Sequence, residues 1–331
     1  MVRLSVVRIW ITGDNAVTAQ AIARELGILP PGEDPGGLVH ARATPQDKLT
    51  IVREWKTRGA IVAMTGDGVN DAPALREAHI GIAMGLGGTE VTREASDMVL
   101  ADDNFASIIA AVHEGRGVYD NIRKTLVYLL TGNVAELVVM FAAAAAGLPL
   151  PLLPIHLLWI NIVTDGLPAL ALVMDPASPD ALRRPPRDPA EPMLGAPEWR
   201  AVALAAAIES AVVLFVFVAM LNSASEPAAR SAAFATLVLS ELFRAFAARS
   251  PTAILWQVGA FTNVRLIGVI AISALAQVAI HQLAPARAVF AIEPLSAAQW
   301  LLITAAALIP VSVLEVTKLL RAAAGNPSPV R

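Results

Sequence analysis

The hydrophobic pattern changes character near residue 120. Before it, short apolar runs alternate with helical patterns and polar loops; after it, the chain is organised in long apolar stretches. Val6–Ile11 reads as a strand ending in Thr12-Gly13-Asp14-Asn15, and residues 16–26 as a helix closed by Gly27. Pro30–Gly37 reads as a loop, and Thr44-Pro45-Gln46-Asp47 opens a helix over about 46–58. Ile61–Met64 is a second strand, followed by an acidic loop and a helix over about 72–77; Ile80–Met84 and Met98–Leu100 are further strands. Strands alternating with helices, with polar loops at strand C-termini, predict a parallel, doubly wound α/β sheet over residues 1–120. Six apolar segments follow, over about 124–147, 152–174, 199–221, 231–248, 262–283 and 298–320. Each is long enough to cross a bilayer, which predicts an all-α, six-helix transmembrane domain over 121–323 and a short tail over 324–331.

Composition agrees with the second half. Hydrophobic residues make up 56% of the 331 residues and charged residues 16%, a shift toward membrane proteins. The net charge of −3 gives no reason to expect a nucleic-acid partner. Cysteine is absent, which excludes disulfides and thiolate metal ligands. No apolar core with a small-residue cleavage site follows Met1-Val2-Arg3, so no signal peptide is expected. Arg183, Arg184 and Arg187 in the loop 175–198, Arg244 and Arg249 at the next loop, and Lys318 and Arg321 after the last span put these ends on one side. The positive-inside bias makes that side cytoplasmic, with both termini; Arg230 and Arg287 are the exceptions on the other side.

Two groups of residues carry candidate chemistry. In Met64-Thr65-Gly66-Asp67-Gly68-Val69-Asn70-Asp71-Ala72-Pro73, two carboxylates flank a turn directly after an apolar run. A strand ending in an acidic loop is a usual place for a Mg²⁺ and phosphate site in an α/β fold. In the membrane half, Asn133 and Glu136 are spaced i, i+3, and Asn161, Thr164 and Asp165 i, i+3, i+4, each group on one helix face. Pro168 follows, removing a backbone donor and opening the helix, and Glu241 lies within the fourth span. Carboxylate, amide and hydroxyl oxygens near mid-membrane suit a hard cation. Glu209 and Glu315 have no such neighbours and read as interfacial or structural.

The chain resembles the C-terminal part of a P-type cation-transporting ATPase, and the calcium pumps in particular. The motifs are Thr12-Gly13-Asp14-Asn15, Ala43-Thr44-Pro45-Gln46-Asp47-Lys48, the run Met64–Leu75, and Met98-Val99-Leu100-Ala101-Asp102-Asp103-Asn104-Phe105. In the membrane half they are Asn133-Val134-Ala135-Glu136 and Leu158–Pro168. The resemblance covers nearly the whole chain and thins after about residue 250. It implies a haloacid-dehalogenase-like phosphorylation domain, with ATP as substrate of the complete pump. It implies that Lys48 neutralises the transferring phosphoryl group, that Thr12 and the Gly13 backbone bind its oxygens with Asp14 alongside, and that Asp67 ligates Mg²⁺ with Asn70 and Asp71. It also implies that Asn133, Glu136, Asn161, Thr164, Asp165 and Glu241 bind the transported cation, Ca²⁺ ahead of Na⁺, K⁺ or H⁺, with Mn²⁺ open.

The sequence departs from that family in what it lacks. No Asp-Lys-Thr-Gly, the family's phosphorylated motif, occurs in the 331 residues. The nucleotide-binding and actuator domains and the first four membrane helices have no counterpart either. A chain without its nucleophile is not expected to form the aspartyl-phosphate alone. The sheet is also expected to lack its central first strand, leaving an unpaired edge. Three readings follow: a piece of a pump gene, one half of a split pump completed by a separate chain, and a non-catalytic cation-binding membrane protein.

Overall fold

The computed structural model describes residues 7–30, 36–259 and 261–324. The start of the expected first strand at Val6, most of the expected loop at 30–37, and the tail from residue 325 lie outside the described residues. Two compact units divide between Glu114 and Gly115, a few residues before the change of period.

The first unit alternates strands and helices. The strands are β1 (Trp10–Ile11), β2 (Val39–His40), β3 (Ala63–Gly66), β4 (Ile80–Met84) and β5 (Met98–Leu100). The helices are α1 (Ala16–Glu25), α2 (Pro45–Thr57), α3 (Ala72–Glu77) and α4 (Glu90–Ala95), with a 3₁₀ turn at Val69–Asp71. Local chemistry sets the helix starts. Asn15 accepts from Thr18 N at 3.0 Å, and Thr44 and Asp47 form a reciprocal capping box with Pro45 at the first position. All strand pairs are parallel, but they form two sheets: β1–β2, and β3–β4–β5. Among the described residues, each of β1 and β3 therefore has one unpaired edge. Val52, Met64, Ala74, Leu75 and Ala95 form the core over β3.

The second unit is helical. α5 is a 40-residue helix, Ala106–Ala145, in which the division between the units falls. α6 (Pro154–Trp159), a π-helical turn (Ile160–Gly166) and α7 (Leu167–Val173) form one interrupted rod. α8 (Ala196–Leu221), α9 (Glu226–Ala247), α10 (Leu255–Val258), α11 (Val264–Gln282), α12 (Ala284–Phe290) and α13 (Ala297–Ala323) complete it. Among the described residues five helices are long and apolar enough to cross a membrane: α5, the α6–α7 rod, α8, α11 and α13. The sixth expected span, α9, is long enough but more polar. It lies at the centre, packed against α8, α11 and α13, and every residue from Ser231 to Leu242 is buried. A helix that meets other helices on all sides uses small and polar residues where a lipid-facing helix uses Leu and Ile.

Candidate functional site

The two candidate sites lie in different units and are built separately. In the first unit, the Thr12-Gly13-Asp14 loop follows β1 and is tied to the approach to α2: Ala43 N donates to Thr12 O at 2.9 Å and Arg42 N to Asp14 O at 2.8 Å. Thr12 Oγ1 donates to Asp14 Oδ2 at 2.9 Å, so the two expected oxygen-binding side chains hold each other. Lys48, on the first turn of α2, donates to Asp71 Oδ1 at 2.5 Å, and both side chains are mostly buried. Asp71 also accepts from Gly68 N at 3.3 Å. A Cβ on Gly66 would lie 2.6 Å from Asp71 Cβ, so only glycine lets β3 end this close to the Asp71 side chain.

Asp67 and Asn70 differ from Asp71. Both are exposed, and the Asp67 carboxylate makes no hydrogen bond or ion pair among the described residues. Its backbone is fixed, because Thr89 N donates to Asp67 O at 3.1 Å. A fixed backbone with a free carboxylate suits a Mg²⁺ ligand, and the nearby Asn70 amide oxygen is a second hard donor. Asp71, by contrast, is already paired with Lys48. One layer out, Asp103 accepts from Leu86 N at 2.9 Å and Gly87 N at 2.7 Å, and these bonds hold its carboxyl below the usual value. Thr44 lowers Asp47 in the same way, and Lys56 and then Arg53 lower Glu77.

In the second unit, four elements bring carboxylates together. Glu136 comes from α5, Asp165 from the π-helical turn, Glu209 from α8 and Glu241 from α9, and all four are buried. Thr164 Oγ1 donates to Glu241 Oε2 at 2.7 Å, joining the turn to α9. Tyr128 OH donates to Thr164 O at 2.7 Å, joining it to α5. Among the described residues, five buried carboxylate oxygens of this cluster have no hydrogen-bond partner: Glu136 Oε1, Asp165 Oδ1 and Oδ2, Glu209 Oε1 and Glu241 Oε1. Three unpartnered atoms converge on one gap in α5. A Cβ on Gly132 would lie 3.0 Å from Glu241 Oε1, 3.2 Å from Asp165 Oδ1 and 3.3 Å from Arg244 Nη2. Asp165, Glu209 and Glu241 thus face one guanidinium in a buried setting, with the Glu136 carboxyl beside them, an arrangement that favours further positive charge.

Not every expected ligand joins this cluster. Asn133 and Asn161 are exposed, and each bonds its own helix, Asn133 Nδ2 to Leu129 O and Asn161 Nδ2 to Leu157 O, both at 2.8 Å. Glu136, Thr164, Asp165 and Glu241 do join it. Among the described residues no three acidic or histidine side chains form a ready metal shell.

Further expectations change. Arg244 is not a loop charge: it is buried, pairs with Glu209 at 3.0 Å and lies over the Tyr128 ring at 4.6 Å. Glu209 therefore has the buried partner that its sequence neighbours do not offer. Arg249 is also buried, paired with Asp175 at 3.0 Å. Sequence reasoning missed Gly132, Glu209, Arg244 and Tyr128 as parts of this cluster. The one available signal was the i, i+3 spacing of Glu241 and Arg244 on α9.

Comparison with known proteins gives two matching families. Residues 6–79 match the haloacid dehalogenase-like hydrolases, and residues 149–320 match the C-terminus of cation transporting ATPases. A calcium-transporting ATPase of Bacillus subtilis (strain 168) is 41% identical over 95% of this chain and 37% of its own length. The probable cation-transporting ATPase F of Mycobacterium tuberculosis (strain ATCC 25618 / H37Rv) is 42% identical over 90% of this chain and 36% of its own length. The endoplasmic reticulum-type calcium-transporting ATPase 4 of Arabidopsis thaliana is 48% identical over 54% of this chain and 19% of its own length. The chain thus spans little more than a third of the bacterial relatives.

Proposed function

We propose that this chain, which belongs to the P-type cation-transporting ATPases and is a membrane protein, works as the C-terminal part of an ATP-driven pump whose cargo is a hard divalent cation, Ca²⁺ before Mn²⁺. The observation that carries the cargo assignment is the convergence of unpartnered Asp165 and Glu241 oxygens at Gly132, with Glu136 and Thr164 as further donors. Oxygen donors without sulfur or imidazole suit Ca²⁺ or Mn²⁺ rather than softer metals. Asn133 and Asn161 lie on the exposed side of their helices, and additional helices packed there would bring further ligands beside them.

In the first unit, Lys48 neutralises the phosphoryl oxygens, Thr12 and the Gly13 backbone donate to them, and Asp14 fixes Thr12. Asp67 and Asn70 would hold Mg²⁺, which supplies charge neutralisation when bound, while Asp71 positions Lys48. Phosphoryl transfer depends on such positioning and neutralisation. Six helices span the bilayer, α9 among them, with both chain ends cytoplasmic, in keeping with Arg183, Arg184 and Arg187 between α7 and α8.

The acceptor carboxylate comes from outside these 331 residues, from a preceding segment or a separate chain. The free edges of β1 and β3 support that reading, because an extended segment carrying Asp-Lys-Thr-Gly would pair there and bring its Asp toward the Asp67 loop. The test is phosphorylation from labelled ATP. The 34.7 kDa chain alone should form no acid-stable phosphoenzyme, and the chain joined to parts that supply Asp-Lys-Thr-Gly and a nucleotide-binding domain should form one. A labelled band at the chain's own mass would overturn the assignment of the acceptor. Ca²⁺-independent phosphorylation of the joined form would overturn the cargo assignment.

A further inference from the structure

The connection between α9 and α11 is tied down from its inner side. Arg249 Nη1 donates to Gly259 O at 2.8 Å and Nη2 to Thr262 Oγ1 at 2.7 Å. Leu255 N donates to Glu315 Oε2 at 2.8 Å, and Lys318 Nζ donates to Ala247 O at 2.8 Å. Asn263 caps α11 and donates to Asp175 Oδ1 at 2.9 Å.

So many bonds hold the backbone in place, yet the large apolar side chains point outward. Trp256, Phe261 and Val264 are 76%, 78% and 72% exposed. Arg265 follows on the first turn of α11, exposed and without a carboxylate partner among the described residues; its one polar contact is Met174 Sδ at 3.8 Å. The carboxylates nearby are already engaged. Asp175 is shared by Arg249 and Lys124, and Glu315 is taken by Lys318. This edge of the bundle therefore carries more cationic than anionic groups.

Its level in the bilayer follows from α11, which is apolar enough to cross a membrane from Val264 to Gln282. Phe261 and Arg265 sit at the start of that span, where hydrocarbon gives way to headgroups, and Trp256 precedes them on α10. Indole rings favour this level, and a planar guanidinium matches a phosphate diester.

We propose that this edge binds an anionic phospholipid, with Trp256 and Phe261 entering the acyl-chain boundary and Arg265 holding the headgroup phosphate. The site needs only membrane residence, so pump activity does not enter its test. Exposed apolar side chains within ten residues of an uncompensated cation, at the start of a membrane span, favour lipid over a protein partner.

The test uses the full chain in nanodiscs of phosphatidylcholine with a small share of tail-brominated phosphatidylglycerol or tail-brominated phosphatidylcholine. The Trp256 signal is isolated by subtracting the Trp256→Phe variant. One basic side chain near the surface should enrich the anionic lipid about five-fold, so brominated phosphatidylglycerol should quench Trp256 much more strongly at equal content. Arg265→Gln should equalise the two lipids, Arg265→Lys should retain most of the preference, and millimolar inorganic phosphate should leave it intact. Equal quenching in the unaltered chain would overturn the proposal, as would a preference that survives Arg265→Gln or disappears with free phosphate. Absence of quenching by either lipid would also overturn it, since another protein surface would then cover Trp256.

Discussion

Gly132 and Glu241 stand so close that a methyl group on the glycine would lie 3.0 Å from Glu241 Oε1. The gap on α5 is thus the point on which groups from the π-helical turn and α9 converge. Gly132→Ala should fill that gap while leaving the rest of the helix intact. The overpacking cost of about 1–3 kcal/mol should fall on the site, and cation affinity should drop about tenfold. Equilibrium Ca²⁺ binding to the purified chain checks this; an unchanged affinity would place the cation elsewhere.

Arg244 and Glu209 test the electrostatics of the same cluster. Arg244→Met leaves Glu209 buried without its cation, which should cost roughly 3–5 kcal/mol. Adding Glu209→Gln should restore much of that loss. Thermal denaturation in detergent of the two single variants and the double variant measures the coupling. Additive losses would show that the pair is not the unit described.

Lys48 and Asp71 link two motifs in the first unit. Lys48→Met should leave Asp71 inside without its cation, with only the Gly68 N bond remaining, at about 1–3 kcal/mol, and loosen the loop after β3. Hydrogen exchange over residues 66–75 should quicken in the variant. Unaltered exchange would mean that Asp71 does not depend on Lys48.

Asp103 gives a pH prediction. Leu86 N and then Gly87 N hold its folded pKa below the ordinary 3.8, so its contribution is complete above that value and is lost as pH falls through the lower, folded one. Protection of the Leu86 and Gly87 amides should persist to about pH 4 and fade below it. Asp103→Ala should abolish it at neutral pH. Asp103→Asn should keep the backbone, since Asp103 has φ 49°, a conformation that Asn tolerates.

Local periodicity made much of this legible. Ile80–Met84, Met98–Leu100 and the helix at 72–77 have the expected limits. β2 has two residues, too short to show a period, and the separation into two sheets depends on pairing between distant segments. The candidate membrane ligands were half legible for geometric reasons. Residues three apart are offset by about 60° around a helix, so Glu136 faces inward while Asn133 does not. The π-helical turn widens the spacing at Asn161–Asp165, which separates Asn161 from Thr164 and Asp165. Pro168 follows this turn without breaking the rod. The Glu209–Arg244 pair joins α8 to α9 across 35 positions, and no spacing rule reaches that far.

The most direct test is equilibrium binding of radioactive Ca²⁺ to the purified full chain in nanodiscs, with Mg²⁺ and K⁺ in excess, before and after Asp165→Asn. The cluster at Gly132 predicts saturable binding that Mn²⁺ competes for and that Asp165→Asn weakens at least about tenfold. Saturable binding of equal strength in both proteins would contradict it.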